Sequence, residues 1–62
     1  MLAAEVATMK FAIEFEREAD GRWIAEIPDM PGVLVYGDTQ ADARAKVEAL
    51  ARQVIADKLQ HA

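Results

Sequence analysis

The chain has no cysteine and a single histidine, His61, among its 62 residues. Disulfides and thiolate metal sites are thereby excluded, and one imidazole beside the end of the chain does not make a metal centre alone. No apolar run approaches the roughly 20 residues that a membrane span needs. The opening Met1-Leu2-Ala3-Ala4-Glu5-Val6-Ala7-Thr8 has no basic stretch and too short an apolar one for a secretory signal. Residues 1–8 are expected to be an N-terminal extension, with the folded domain over 9–62 and a cytoplasmic location. There is no Ser-His-Asp or Cys-His combination, no Gly-rich phosphate loop and no metal-ligand spacing. The chain therefore reads as a non-enzyme without a cofactor or metal.

Bases are also scarce. Seven Lys and Arg against eleven Asp and Glu give a net charge of −4, which argues against a protein that grips nucleic acid by neutralising phosphates. The charge is uneven. Residues 1–38 hold eight acids and three bases, a net of −5, whereas residues 39–62 hold three acids and four bases, a net of +1. An acidic half can steer a basic partner towards itself. It also serves solubility. A chain this short buries only about 60% of its unfolded surface. With disulfides and metals excluded, self-association is the remaining source of extra stability.

What is present is a clear order of elements. Met9, Phe11, Ile13 and Phe15 alternate with Lys10, Ala12, Glu14 and Glu16, which predicts a half-buried strand over 9–17. Asp20-Gly21 is a hairpin signal, and 22–27 forms the return strand. Trp23, Ala25 and Ile27 share one face of it, and Arg22, Ile24 and Glu26 the other. Pro28 ends this strand because it has no N–H for the ladder. After Pro31-Gly32, the run Val33-Leu34-Val35-Tyr36 predicts a third strand, released by Gly37. Thr39 is the expected helix cap, with Asp42 as an aspartate version of the capping box. Val47, Leu50, Ala51, Val54, Ile55 and Leu59 then recur at helical spacing, predicting an amphipathic helix over 40–60. The fold class is α+β: β-β-β-α, a three-stranded antiparallel sheet with one helix packed on it.

One helix covers one face of a sheet. Apolar residues among Ile24, Leu34 and Tyr36 are left for the other face, together with two edges that can pair with another chain. Glu14, Glu16 and Glu26 are the only carboxylates grouped on one strand face, and they could hold Mg²⁺. No histidine or lysine stands beside them as a general base, and a solvated polar face accounts for them. Asp38 and Thr39 at the helix start cap it, since Asp38 and Asp42 would repel an anion. Trp23 is placed nearer the core and Tyr36 nearer an interface. Met30 either plugs a partner's pocket or folds back under the helix.

The segment Asp20-Gly21-Arg22-Trp23-Ile24-Ala25-Glu26-Ile27-Pro28-Asp29-Met30-Pro31-Gly32, followed by Tyr36-Gly37-Asp38-Thr39 and an alanine-rich helix, resembles the HicB family of bacterial antitoxins. The resemblance spans about residues 9–59. It implies a partial, degenerate ribonuclease-H-like fold. It further implies binding to a small basic HicA-like toxin that cleaves messenger RNA, and self-association as dimers or tetramers. Glu14, Glu16, Glu26 and Tyr36 are the residues expected to meet the partner. Fuller family members continue into another strand and a DNA-binding domain. Read as a short form without that domain, this chain is not expected to bind DNA directly. The alternative reading is a free-standing homo-oligomer with a structural or regulatory role and no toxin.

Overall fold

A computed structural model describes residues 10–61. The expectations for the extension 1–8, for Met9 and for the His61 side chain fall outside what it describes. The element order is β1 (Glu14–Arg17), β2 (Trp23–Glu26), β3 (Leu34–Gly37) and α1 (Gln40–His61). The three strands form one antiparallel sheet in the order β1-β2-β3, and α1 packs on β3 and β2. This is the β-β-β-α arrangement expected from the periodicity.

The first strand is shorter than the alternation predicts, starting at Glu14 instead of residue 9. The reason lies in its partner. Glu14 faces Glu26 in the register. The parity of the ladder sends the Ile27 N–H to the β3 side, where the Val33 carbonyl accepts it at 3.1 Å, so the next N–H due to β1 would be that of Pro28, which has none. Residues 10–13 thus have no ladder to join, although Phe11 and Ile13 still pack against the core.

Both connections follow from local chemistry. The Gly21 N–H donates to the Glu18 carbonyl at 2.9 Å and the Glu18 N–H to the Arg22 carbonyl at 2.7 Å. Only Gly21 in this loop has a positive φ, 93°. The turn is therefore a longer one closed by a left-handed glycine, not a two-residue hairpin with both central residues at positive φ. In the second connection, the Met30 N–H donates to Ile27 at 2.9 Å and the Val33 N–H to Met30 at 3.0 Å. Pro28 and Pro31 each take the second position of a turn, where a fixed φ fits, and Gly32 (φ 88°) takes the third of the latter. Met30 folds back on the core.

The core is Ala25, Ile27, Val33, Ala43, Val47 and Ala51, joined by half-buried Trp23, Phe15, Val35, Leu50 and Val54. Helix residues 43, 47 and 51 recur every four positions, which is the stripe that meets the sheet. Leu59 belongs to the predicted stripe but is 45% exposed. A helix of 22 residues is about 33 Å long, whereas a four-residue strand is about 13 Å, so the last turns run past the sheet.

The helix starts as Thr39 predicts. Its hydroxyl accepts the Asp42 N–H at 3.0 Å, and its carbonyl accepts the first helical N–H, from Ala43, at 2.9 Å. Asp42 reaches back to the N–H of Asp38 at 3.1 Å and pairs with Lys46 at 3.1 Å. The Asp38 amide, then the Lys46 ammonium, hold the Asp42 carboxyl below its ordinary range. Thr39→Ala removes the cap and should lower stability by about 1 kcal/mol, read as a shift of the urea midpoint at unchanged slope.

Gly37 does more than release the third strand. It lies within β3, buried, opposite Trp23. A Cβ there would stand 2.5 Å from the Ala43 nitrogen, 2.7 Å from its Cα and 3.0 Å from its Cβ. Glycine at 37 and alanine at 43 let the first helical turn rest on the sheet.

Candidate partner-binding surface

The sheet face away from α1 is built by strict alternation. Outward from β1 stand Glu14 and Glu16, from β2 Ile24 and Glu26, and from β3 Leu34 and Tyr36. The register sets them in two rows across the strands. Glu14, Glu26 and Leu34 form one row, and Glu16, Ile24 and Tyr36 form the other. The face is thus divided into an acidic side on β1 and an apolar side on β3, with β2 supplying one residue of each kind.

The sequence-predicted residues are brought together as expected. Glu14, Glu16 and Glu26 are exposed on one face, and Glu14 and Glu26 are direct cross-strand partners. Like charges placed opposite each other destabilise a sheet. Here they create a local negative potential around a shallow depression lined by Glu14, Phe15, Glu16, Ile24 and Glu26. Tyr36 is 46% exposed at the other side, with Leu34 at 44% beside it. Trp23 lies on the helix side, half-buried against the core, with the Arg17 guanidinium 5.9 Å from its ring centroid.

Arg22 is the residue that sequence reasoning missed. Asp20 accepts both its backbone N–H, at 3.0 Å, and its Nε–H, at 2.8 Å. The guanidinium then lies 4.8 Å from the Tyr36 ring centroid, within cation–π range. A turn carboxylate on the hairpin thereby orients an arginine that holds an aromatic on the neighbouring strand. The signal was present: an Asp two residues before an Arg is an Asx-turn pattern, and Arg22 is diagonal to Tyr36. The same backbone hydrogen bond, reinforced by the arginine side chain, holds the Asp20 carboxyl below its ordinary range.

Among the described residues, no group of three or more His, Asp or Glu side chains is disposed to hold a metal ion. No side-chain polar atom among them is buried without a hydrogen-bond partner. No described helix is long and apolar enough to cross a membrane. What the face offers chemically is charge beside apolar surface. No protein-family model, curated protein or solved structure matches the chain.

Proposed function

We propose that this chain is an antitoxin that neutralises a small basic, messenger-RNA-cleaving toxin of the HicA kind by covering its RNA-binding surface with the sheet face opposite the helix. One observation carries the reading: Glu14, Glu16 and Glu26 are gathered on that face, exposed, next to the apolar Ile24, Leu34 and Tyr36. A surface evolved to bind RNA is cationic, and the carboxylates imitate the phosphates it expects. The apolar side adds contacts that a phosphate chain does not offer, with Tyr36, pre-oriented by Arg22, as the anchor. The resemblance of the Asp20–Gly32 and Tyr36–Thr39 segments to HicB antitoxins supplies the identity of the partner.

The test is titration of this protein into a small basic HicA-like toxin, with RNA cleavage followed in parallel. Tight binding that halts cleavage is the expected result. The variant Glu14→Lys/Glu16→Lys/Glu26→Lys should associate about tenfold more slowly or worse, and its association rate should lose its dependence on salt. No binding at micromolar concentration, or an unchanged association rate in the triple variant, would sink the reading.

A further inference from the structure

We propose that Arg22 is the selectivity gate of the acidic face, a role that rests on the toxin-binding reading: it admits a basic partner that sets a carboxylate against its guanidinium and turns away surfaces that are cationic throughout. The starting point is an oddity of charge. Alternation puts Glu14, Glu16 and Glu18 on this face from β1 and its next residue, and Glu26 from β2. The Glu18 N–H donates to the Arg22 carbonyl, so the pairing of β1 with β2 runs on to these two residues. Arg22 reaches over Tyr36 on the same face. Arg17 is on the helix side, beside Trp23, and α1 with its bases packs on that other side of the sheet. Among the described residues, Arg22 is therefore the one cation that the strands and their turns set among these glutamates. A face built only to attract a basic partner is weakened by it.

The arginine is held at two points. Asp20 Oδ1 accepts the Arg22 backbone N–H at 3.0 Å, and Oδ2 accepts its Nε–H at 2.8 Å. The guanidinium carbon lies 4.8 Å from the Tyr36 ring centroid. Stability does not account for this. The two side chains are 51% and 55% exposed, and an ion pair so placed contributes little to folding. What the clamp does lower is the cost of binding, because an arginine already held loses less rotamer freedom on meeting a partner. The bond to Asp20 uses Nε, which leaves the Nη groups to offer their donors outward.

Those donors select. The planar fork of a guanidinium matches the two oxygens of a carboxylate, and the resulting bonds are charge-assisted. A partner whose basic surface carries one Asp or Glu at this point gains that pair, while the surrounding glutamates meet its lysines and arginines. A partner with a lysine or arginine at the same point meets a like charge that Asp20 and Tyr36 keep in place. Specificity is a difference of affinities, and a repulsive element at one position raises it as effectively as an added attraction. A polycation without acids, such as oligolysine, has nothing to offer Arg22. A folded basic protein with one well-placed carboxylate does.

Three variants test the gate. Arg22→Gln removes the charge, Arg22→Lys keeps it without the fork, and Arg52→Gln makes the same change of net charge on α1, away from the face. Each is titrated with the HicA-like toxin and with oligolysine. Arg22→Gln should bind the toxin at least about tenfold more weakly, although its face is more acidic, and Arg22→Lys should be weakened too. Oligolysine should bind Arg22→Gln several-fold more tightly than the parent, and Arg22→Lys and Arg52→Gln about as the parent does. Alanine replacement of the toxin's acidic residues, one at a time, should find one whose loss weakens the parent about tenfold and leaves Arg22→Gln unaffected. A merely structural role of Arg22 behind Tyr36 would give no such coupling. Toxin held as tightly by Arg22→Gln as by the parent would overturn the proposal. So would oligolysine gaining as much from Arg52→Gln as from Arg22→Gln. A parent that leaves the toxin unbound ends the toxin reading, and the oligolysine comparison then decides the gate alone.

Discussion

Gly37→Ala should largely unfold the protein, and Gly37→Val should do so completely. Any side chain begins with a Cβ, and at this position that atom would overlap the backbone of Ala43, at 2.5 Å from its nitrogen. The obstacle is main chain, so no rotamer change clears it. Relief requires the first helical turn to lift off β3, which uncovers Ala43 and Val47 and pulls on the Thr39 cap. Overpacking typically costs about 1–3 kcal/mol, and a clash with main chain that no rotamer relieves lies at or above the top of that range. A domain of this size has only about 3–9 kcal/mol in total. Gly21→Ala is the informative comparison. Nothing lies within 4 Å of a Cβ there, and the cost is only that of a left-handed alanine, about 1–2 kcal/mol. Thermal melts by circular dichroism rank the two. A Gly37→Ala protein melting within a few degrees of its parent would show that the helix does not need this close approach.

Val47→Asp should be equally severe for a different reason. Val47 is the largest side chain with no exposure at all, held between the helix and the sheet. No buried polar or charged residue lies among the described residues to receive a carboxylate. An unpaired charge placed there costs several kcal/mol, or takes up a proton and still leaves an unsatisfied polar group. Val47→Ala, which only opens a small cavity, should cost about 2 kcal/mol and remain folded. Urea titrations of the pair should give a shifted midpoint at constant slope for alanine and no cooperative transition for aspartate.

These two sites differ in how far the sequence discloses them. Val47 is legible, because its spacing from Leu50, Ala51 and Val54 marks the buried stripe of a helix. Gly37 is not, since it reads as a strand terminator and its contact is with a residue six positions on, brought back by the turn of the chain. The same division holds elsewhere. The left-handed Gly21, the two proline turns and the Thr39 cap are settled by chemistry within four or five residues, and period-two alternation places Glu14, Glu16, Glu26 and Tyr36 on one face. The start of β1 depends on where its partner stops, and the exposure of Leu59 on where the sheet beneath it ends. Neither is a local property. The Arg22 bridge from Asp20 to Tyr36 needed the register before it could be seen.

Three of the six core residues, Ala25, Ala43 and Ala51, are alanines, so the helix sits close to the sheet and the layer between them is thin. The increase in heat capacity on unfolding comes mainly from apolar area newly exposed to water, and a thin layer has little of it to expose. The unfolding enthalpy is small as well, since it scales with chain size and the chain has 62 residues. A calorimetric trace of such a domain is low and wide. Its stability curve is nearly flat over tens of degrees, so the folded fraction changes gradually with temperature instead of collapsing at one point.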